Sequence, residues 1–107
     1  MVNVLDREIP NDFKRRLQER LPLDRLILFG SRARGDADPD SDMDVLVVLN
    51  APVDWTAQKT VSECAWEACV LKGIVLTPIA VYKKDWEEGV ESSSLLAIAV
   101  RQEGIPI

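Results

Sequence analysis

The sequence predicts an α/β (α+β) domain in which a small mixed sheet of three to four strands is flanked by helices. Two long segments have apolar residues at helical spacing, and three short apolar runs have the character of strands. The composition, 47% hydrophobic and 29% charged, is that of an ordinary globular protein. The length of 107 residues suits one domain that spans residues 1–107.

The N-terminal part of the chain is predicted to form a helix and then a strand. After Pro10, Phe13, Leu17 and Leu21 recur four residues apart among basic residues, which indicates an amphipathic helix. Pro22 ends this helix because proline cannot continue it. The short apolar run RLILFG that follows predicts the first buried strand.

The middle of the chain combines a polar loop with the second strand. The segment SRARGDADPDS, residues 31–41, is rich in glycine, proline and aspartate and is predicted to be a loop or a frayed turn. The second strand is DMDVLVVLN, residues 42–50, in which β-branched residues follow the aspartates.

The C-terminal half is predicted to contain a long helix, a third strand and closing helices. The long helix runs from Asp54 to Lys72, with Gly73 at its C-cap. The third strand is IVLTPIAVY, where Pro78 indicates an edge strand or a bulge. KKDWEEGV is predicted to be a short turn or helix, LLAIAVRQEG a helix capped by serines, and the tail IPI a further β-bridge.

Several functional classes are excluded or disfavoured by composition. The chain contains no histidine, which excludes histidine-dependent triads and zinc sites with histidine ligands. A net charge of −5 argues against direct binding of nucleic acid. No apolar run approaches the roughly 20 residues that cross a bilayer, and no signal segment begins the chain, so we expect no membrane association and a cytoplasmic location. Cys64 and Cys69 lie on different faces of a predicted helix and are expected to be reduced.

The turn after the first strand has the character of an anion-binding loop. Gly30 and Gly35 match part of a P-loop, but the lysine and hydroxyl residue that should follow are absent, and the EF-hand pattern fails as well. Gly30 lets backbone amides approach an anion closely, and Ser31 adds a hydroxyl donor. Arg32 and Arg34 add positive charge that suits a triphosphate. The alternative for either arginine is to neutralise the acidic loop that follows.

Two aspartates at the start of the second strand are predicted to bind metal. Residues two apart in a strand point to the same side, so Asp42 and Asp44 present their carboxylates to one face, with Cα atoms about 6.6 Å apart. Such a pair suits one Mg²⁺, or two ions that clamp a transferring phosphate. The other aspartates of the loop are predicted to shape turns and face solvent: Asp36, Asp38 and Asp40.

The spacing of these residues resembles a known signature. Gly30-Ser31, ten further residues, and then Asp42-Met43-Asp44 resemble the G-S-x(10)-D-x-D motif of the polymerase-β-type nucleotidyltransferases, and residues 30–49 are similar to the version found in the minimal nucleotidyltransferase (MNT) branch. The resemblance implies a polymerase-β-like nucleotidyltransferase fold and a site for ATP and Mg²⁺. The catalytic residues would be Asp42 and Asp44.

The resemblance also implies a partner. MNT proteins act as antitoxins of HEPN/MNT toxin–antitoxin pairs and transfer AMP to a tyrosine of the HEPN ribonuclease. A chain of 107 residues has little material for an acceptor-binding domain of its own, so we expect a protein acceptor, namely a HEPN-domain toxin.

The third metal ligand of the family has no evident counterpart. The strand GIVLTPIAVY carries no acid, and Thr77 or Ile79 falls near the expected position. Asp85 and Glu63 are candidate substitutes. Two alternatives therefore stay open: an MNT-like antitoxin that neutralises its partner by contact alone, and a free-standing nucleotide-binding protein. A homo-oligomer is a further open possibility.

Overall fold

Helices and strands alternate along most of the chain. A computed structural model describes residues 4–36, 38, 41–89 and 93–107. Its elements, in chain order, are α1 (Leu5–Arg20), β1 (Leu23–Phe29), α2 (Ser31–Arg34), β2 (Met43–Leu49), α3 (Trp55–Cys69), β3 (Leu76–Tyr82), α4 (Lys83–Glu88), α5 (Leu95–Glu103) and β4 (Ile105–Pro106). The predicted fold class is confirmed.

The four strands form one mixed sheet in the order β3-β2-β1-β4. β1 is antiparallel to β2, with Phe29 opposite Asp44, and β2 is parallel to β3, with Asp44 beside Thr77. β4 pairs with β1, which confirms the bridge predicted for the tail. Pro78 lies in β3 at the edge of the sheet, where a missing backbone donor is best tolerated.

The sheet has two differently covered faces. On what we call the main face, alternate residues of β2 such as Val45 and Val47 pack into a core that includes α1 and α3. On what we call the minor face, Leu46 and Val48 pack in a smaller cluster with apolar residues of α4 and α5, including Trp86. Because side chains alternate along a strand, each β2 residue belongs to one face only.

Two local predictions need correction. α1 begins at Leu5 rather than after Pro10, so the proline lies inside the helix. Pro10 and its neighbour Ile9 are buried, and this tertiary packing outweighs the loss of one helical hydrogen bond. Residues 31–34 form the single helical turn α2, which is too short to produce an apolar periodicity.

The remaining boundaries differ by a few residues from those predicted. β1 begins at Leu23, and β2 begins at Met43, so Asp42 lies just before the strand. α3 begins after Asp54, whose carboxylate accepts a hydrogen bond of 2.8 Å from the Ala57 amide as an N-cap. Cys64 and Cys69 are buried and form no disulfide. Among the described residues, every helix is too short or too polar to span a bilayer.

Candidate functional site

The predicted site residues meet at one end of the sheet, where β1 ends and β2 begins. Because these strands are antiparallel, Gly30, which follows Phe29, lies beside Asp44. Gly30 has φ +78°, which a side chain would strain, and a Cβ atom there would lie 2.5 Å from the Asp44 Oδ2 atom. The site therefore requires glycine at this position, both for its backbone conformation and for the space that Asp44 occupies.

The two carboxylates of β2 differ in their surroundings. Asp42 is exposed just before the strand, whereas Asp44 is half-buried on the minor face. Burial raises the pKa of Asp44 above the usual aspartate value, the negative charge of Asp42 raises it further, and the positive charge of Arg34 partly opposes both effects. The charge of Arg34 only partly offsets these two effects, so a bound cation would stabilise the ionised Asp44 carboxylate.

The donor set at this point suits Mg²⁺. Asp42 and Asp44 offer hard oxygen ligands, and Mg²⁺ is commonly held by one or two carboxylates together with water and substrate phosphates. Within the described ranges, no three acidic, histidine or cysteine side chains converge as a complete metal site.

The candidate third ligands do not complete such a site among the described residues. Thr77 is the neighbour of Asp44 on β3, and its side chain is exposed. Glu63 on α3 and Asp85 on α4 are both exposed and belong to no acidic cluster in the part of the chain that is described. The described residues therefore place two predicted acidic ligands, Asp42 and Asp44, at the start of β2, and the other coordination positions would fall to water and phosphate.

Arg32 is placed differently from its prediction as a nucleotide-binding residue. Its side chain is 2% exposed, and its Nη1 atom donates to Asp6 Oδ1 at 2.9 Å. Its Nε and Nη2 atoms donate to the Ser41 carbonyl at 2.9 and 2.7 Å. This geometry does not support a phosphate contact, because the guanidinium is buried and engaged within the protein. Arg32 instead ties the loop before β2 to α1.

Arg34 remains at the surface of the site. Its side chain is 46% exposed, and its Nη1 atom donates to both carboxylate oxygens of Glu103, at 3.2 and 3.0 Å. Its Nε atom donates to Asp36 at 3.2 Å. These carboxylates raise the pKa of the Arg34 guanidinium, Asp36 first and Glu103 after it. Arg34 therefore stays charged and accessible to an anion.

The rest of the loop follows the predicted division of its aspartates. Asp36 and Asp38 are exposed, and the Asp38 carbonyl accepts a hydrogen bond of 3.0 Å from the Ser41 amide. Ser31 begins α2, and its carbonyl accepts from the Asp36 amide at 3.2 Å. Asp40 lies outside the described residues. The two described aspartates thus shape and solvate the loop, as expected.

Two acids near the site were missed by sequence reasoning. Asp6 is buried as the partner of Arg32, and Glu103 contacts Gly30 and Arg34 from the end of α5. No motif marks either residue. Asp6 precedes the predicted start of the first helix, and Glu103 stands in the ordinary helix end RQEG. The only sequence signal for Asp6 is its helical spacing to Ile9 and Phe13, which places a carboxylate on the apolar face of α1.

Comparisons with known proteins identify the family and the fold. Residues 10–100 match the family model described as "Nucleotidyltransferase domain". The chain belongs to this family. It is 38% identical over 79 residues to "Putative protein adenylyltransferase MJ0141" of Methanocaldococcus jannaschii, a match that covers 72% of this chain and 79% of that protein. The enzyme class implied by the G-S-x(10)-D-x-D resemblance is confirmed as that of a nucleotidyltransferase.

Solved structures agree on the fold. A chain in the crystal structure of a toxin–antitoxin with AMP-PNP is similar to this nucleotidyltransferase, with a TM-score of 0.64 and 21% identity. The match covers 91% of this chain and 70% of the chain in that structure. A chain in the structure of a tri-AMPylated Shewanella oneidensis HEPN toxin in complex with MNT antitoxin is similar as well, with a TM-score of 0.57 and 20% identity. This match covers 92% of this chain and 67% of the chain in that structure. At these identities the likeness shows the nucleotidyltransferase fold, which includes the four-stranded mixed sheet.

Proposed function

We propose that this nucleotidyltransferase transfers AMP from ATP to a hydroxyl group of a partner protein, in a reaction that depends on Mg²⁺. The observation that carries the proposal is the meeting of Gly30 and Asp44 at the antiparallel junction of β1 and β2. An anion-binding turn and a pair of cation-binding carboxylates thereby share one end of the sheet. We take residues 1–107 to act as a single unit.

One group of residues binds the phosphates, and another binds the metal. Gly30 and Ser31 bind the phosphates through backbone and hydroxyl donors, and Arg34 adds charge. Asp42 and Asp44 hold Mg²⁺. When bound, Mg²⁺ supplies positive charge to the phosphate oxygens during transfer.

The transfer step follows from this arrangement. The acceptor oxygen forms a bond to the α-phosphorus of ATP, the bond between that phosphorus and the bridging oxygen breaks, and pyrophosphate leaves. One of the two aspartates receives the hydroxyl proton. Most of the rate enhancement comes from alignment of the reactants and from charge stabilisation of the phosphates.

The proposed acceptor is a HEPN-domain toxin, for which this protein acts as the antitoxin. Support comes from the relative named as a protein adenylyltransferase, whose acceptor is by that name a protein, and from fold neighbours in toxin–antitoxin complexes. One such neighbour contains a HEPN toxin that carries AMP. A cytoplasmic setting, where ATP is abundant and thiols stay reduced, suits the unbridged Cys64 and Cys69.

The proposal is tested by incubating the protein with ATP, Mg²⁺ and a HEPN partner and measuring the intact mass of the partner. We expect mass gains of whole AMP groups. The double variant Asp42→Ala/Asp44→Ala should abolish them, while Asp38→Ala, which removes an exposed loop aspartate, should leave them unchanged. Absence of any gain with the unaltered protein, or a gain that persists in the double variant, refutes the transfer reaction.

A second candidate function is neutralisation of the toxin by binding alone. It is favoured by the absence of a third acidic ligand among the described residues. In that case the Asp42→Ala/Asp44→Ala variant would still bind the partner and silence its ribonuclease activity, with no change in partner mass. Under the transfer proposal the same variant loses most of its neutralising effect.

A further inference from the structure

Glu103 occupies the donors that the proposed function assigns to phosphate. It is the last residue of α5, and its Oε2 atom accepts a hydrogen bond of 3.1 Å from the Gly30 amide, 73 positions away in sequence. Both of its carboxylate oxygens also accept from Arg34, at 3.2 and 3.0 Å. One internal carboxylate thus bridges the backbone and the cationic donor of the predicted anion-binding turn.

The chemistry of this contact is that of a bound anion. A carboxylate and a phosphate both present negative oxygens to N–H donors, and both form charge-assisted hydrogen bonds with guanidinium. Glu103 is 23% exposed, so the contact lies at the surface, within reach of a solute. A phosphate that approaches Gly30 and Arg34 therefore meets donors already satisfied by a group of its own kind.

The surrounding backbone does not depend on the Glu103 side chain. The Gly104 amide donates to Val100 at 2.8 Å, and the Ile107 amide donates to Leu26 at 2.9 Å. Val100 is buried in the minor-face cluster. The C-terminal segment is thus anchored on both sides of Glu103, and the carboxylate can leave Gly30 by rotation of its own side chain.

We propose that Glu103 is an internal competitor of the nucleotide. Its carboxylate holds the Gly30 amide and Arg34 in the nucleotide-free protein, and a phosphate group of ATP takes over these donors on binding. Glu103 thereby lowers the affinity for ATP and keeps the turn ordered when no nucleotide is present. This inference rests on the proposed function for the identity of the ligand.

The isosteric variant Glu103→Gln tests the competition. Glutamine can still accept from the Gly30 amide, but it carries no charge to hold Arg34. We expect ATP with Mg²⁺ to bind about tenfold more tightly to this variant in titration calorimetry. The control is Asp38→Asn, which removes an exposed carboxylate of the same loop and should change the affinity less than about threefold.

A second readout reports on the Gly30 amide itself and needs no metal. In ¹⁵N-labelled protein, inorganic tripolyphosphate should shift the Gly30 amide resonance, with a midpoint about tenfold lower in Glu103→Gln than in the unaltered protein. Unchanged or weaker affinity in Glu103→Gln, an equal effect of Asp38→Asn, or no response of Gly30 in either protein overturns the inference. Amide resonances away from Glu103 report that the variant is folded.

The two proposals fail in different ways. If the partner gains no AMP but tripolyphosphate shifts Gly30 more readily in Glu103→Gln, the transfer reaction is wrong and the competition stands. If AMP is transferred but Glu103→Gln binds ATP no more tightly than the unaltered protein, the competition is wrong and the transfer reaction stands.

Discussion

The main and minor faces of the sheet differ in how completely helices cover them. α1 and α3, of 16 and 15 residues, lie over the main face, where Val45 and Val47 are fully buried. α4 and α5, of 6 and 9 residues, cover less of the minor face and leave Asp44 half-buried at the start of β2. The comparison shows that the site lies where the shorter helices leave the sheet accessible.

The same difference separates two arginines of one helical turn. Arg32 is buried and paired with Asp6 of α1, on the side of the main-face helices. Arg34 is exposed and paired with Glu103 of α5, on the side of the minor-face helices. The first stabilises the fold, and the second is available to a ligand.

The largest expected effect on stability comes from Arg32. Arg32→Met leaves Asp6 buried without this partner, and removal of one partner of a buried ion pair typically costs about 3–5 kcal/mol of unfolding free energy. Arg34→Met removes only surface pairs and should lower the unfolding free energy far less than Arg32→Met does. Urea denaturation measures both values. Equal losses would show that the two arginines do not differ in the way described.

The next effect compares neighbours on β1 that face opposite sides. Leu28 is fully buried in the main-face core, whereas Ile27 is half-buried against the minor-face cluster. We expect Leu28→Ala to lower the unfolding free energy by about 3 kcal/mol and Ile27→Ala by about 1 kcal/mol, since truncation costs more where no water can enter. Chemical denaturation of both variants measures the two losses of unfolding free energy. A greater loss for Ile27→Ala would contradict the assignment of the faces.

Alanine variants at two glycines distinguish the effect of backbone strain from the effect of disrupting the site. Gly30 and Gly73 have φ values of +78° and +73°, so alanine at either position should strain the backbone by at least about 1–2 kcal/mol. A Cβ at Gly73 meets nothing within 4 Å, whereas one at Gly30 displaces Asp44. We expect a greater loss of melting temperature in Gly30→Ala than in Gly73→Ala, and loss of AMP transfer only in Gly30→Ala. Transfer lost equally in both would attribute the effect to the backbone alone.

The smallest expected effect is a gain in the unfolding free energy of metal-free protein when Asp44 is replaced by asparagine. Its raised pKa means that the folded state holds the proton to higher pH than the unfolded state. Unfolding free energy therefore falls as pH rises from the ordinary aspartate pKa to the raised value. Above that window Asp44→Asn should be more stable, on the order of 0.5 kcal/mol because water still screens the carboxylate.

Thermal melting in EDTA between pH 3 and about pH 7 measures this effect. The unaltered protein and Asp44→Asn should differ least at the acidic end, where the unaltered carboxyl is protonated. Asp38→Asn serves as the control, because Asp38 is exposed in the loop and should leave the melting temperature unchanged at every pH. A variant at Asp44 that melts lower than the unaltered protein at neutral pH would contradict the attribution of the shift to burial.

Local sequence features were sufficient for much of the fold and for the centre of the site. Short apolar runs and helical spacing are patterns that a few neighbouring residues define, and they predicted the strands and the long helix α3. The turn at Gly30 and the aspartates of β2 were found because their residue types and spacing carry the chemistry directly. The roles of the individual site residues stay predictions until nucleotide and metal binding are measured.

Long-range pairing was decided only by tertiary structure. Arg32 and Asp6 are 26 positions apart, and Glu103 and Gly30 are 73 apart, so no local pattern relates them. Burial of Pro10 within α1 likewise depends on what the helix packs against. The sequence by itself determined which residues are charged and which segments of the chain carry these residues. The packed sheet and its helices decided that Arg32 is buried and that Arg34 lies at the surface, because burial and distant partners set that difference.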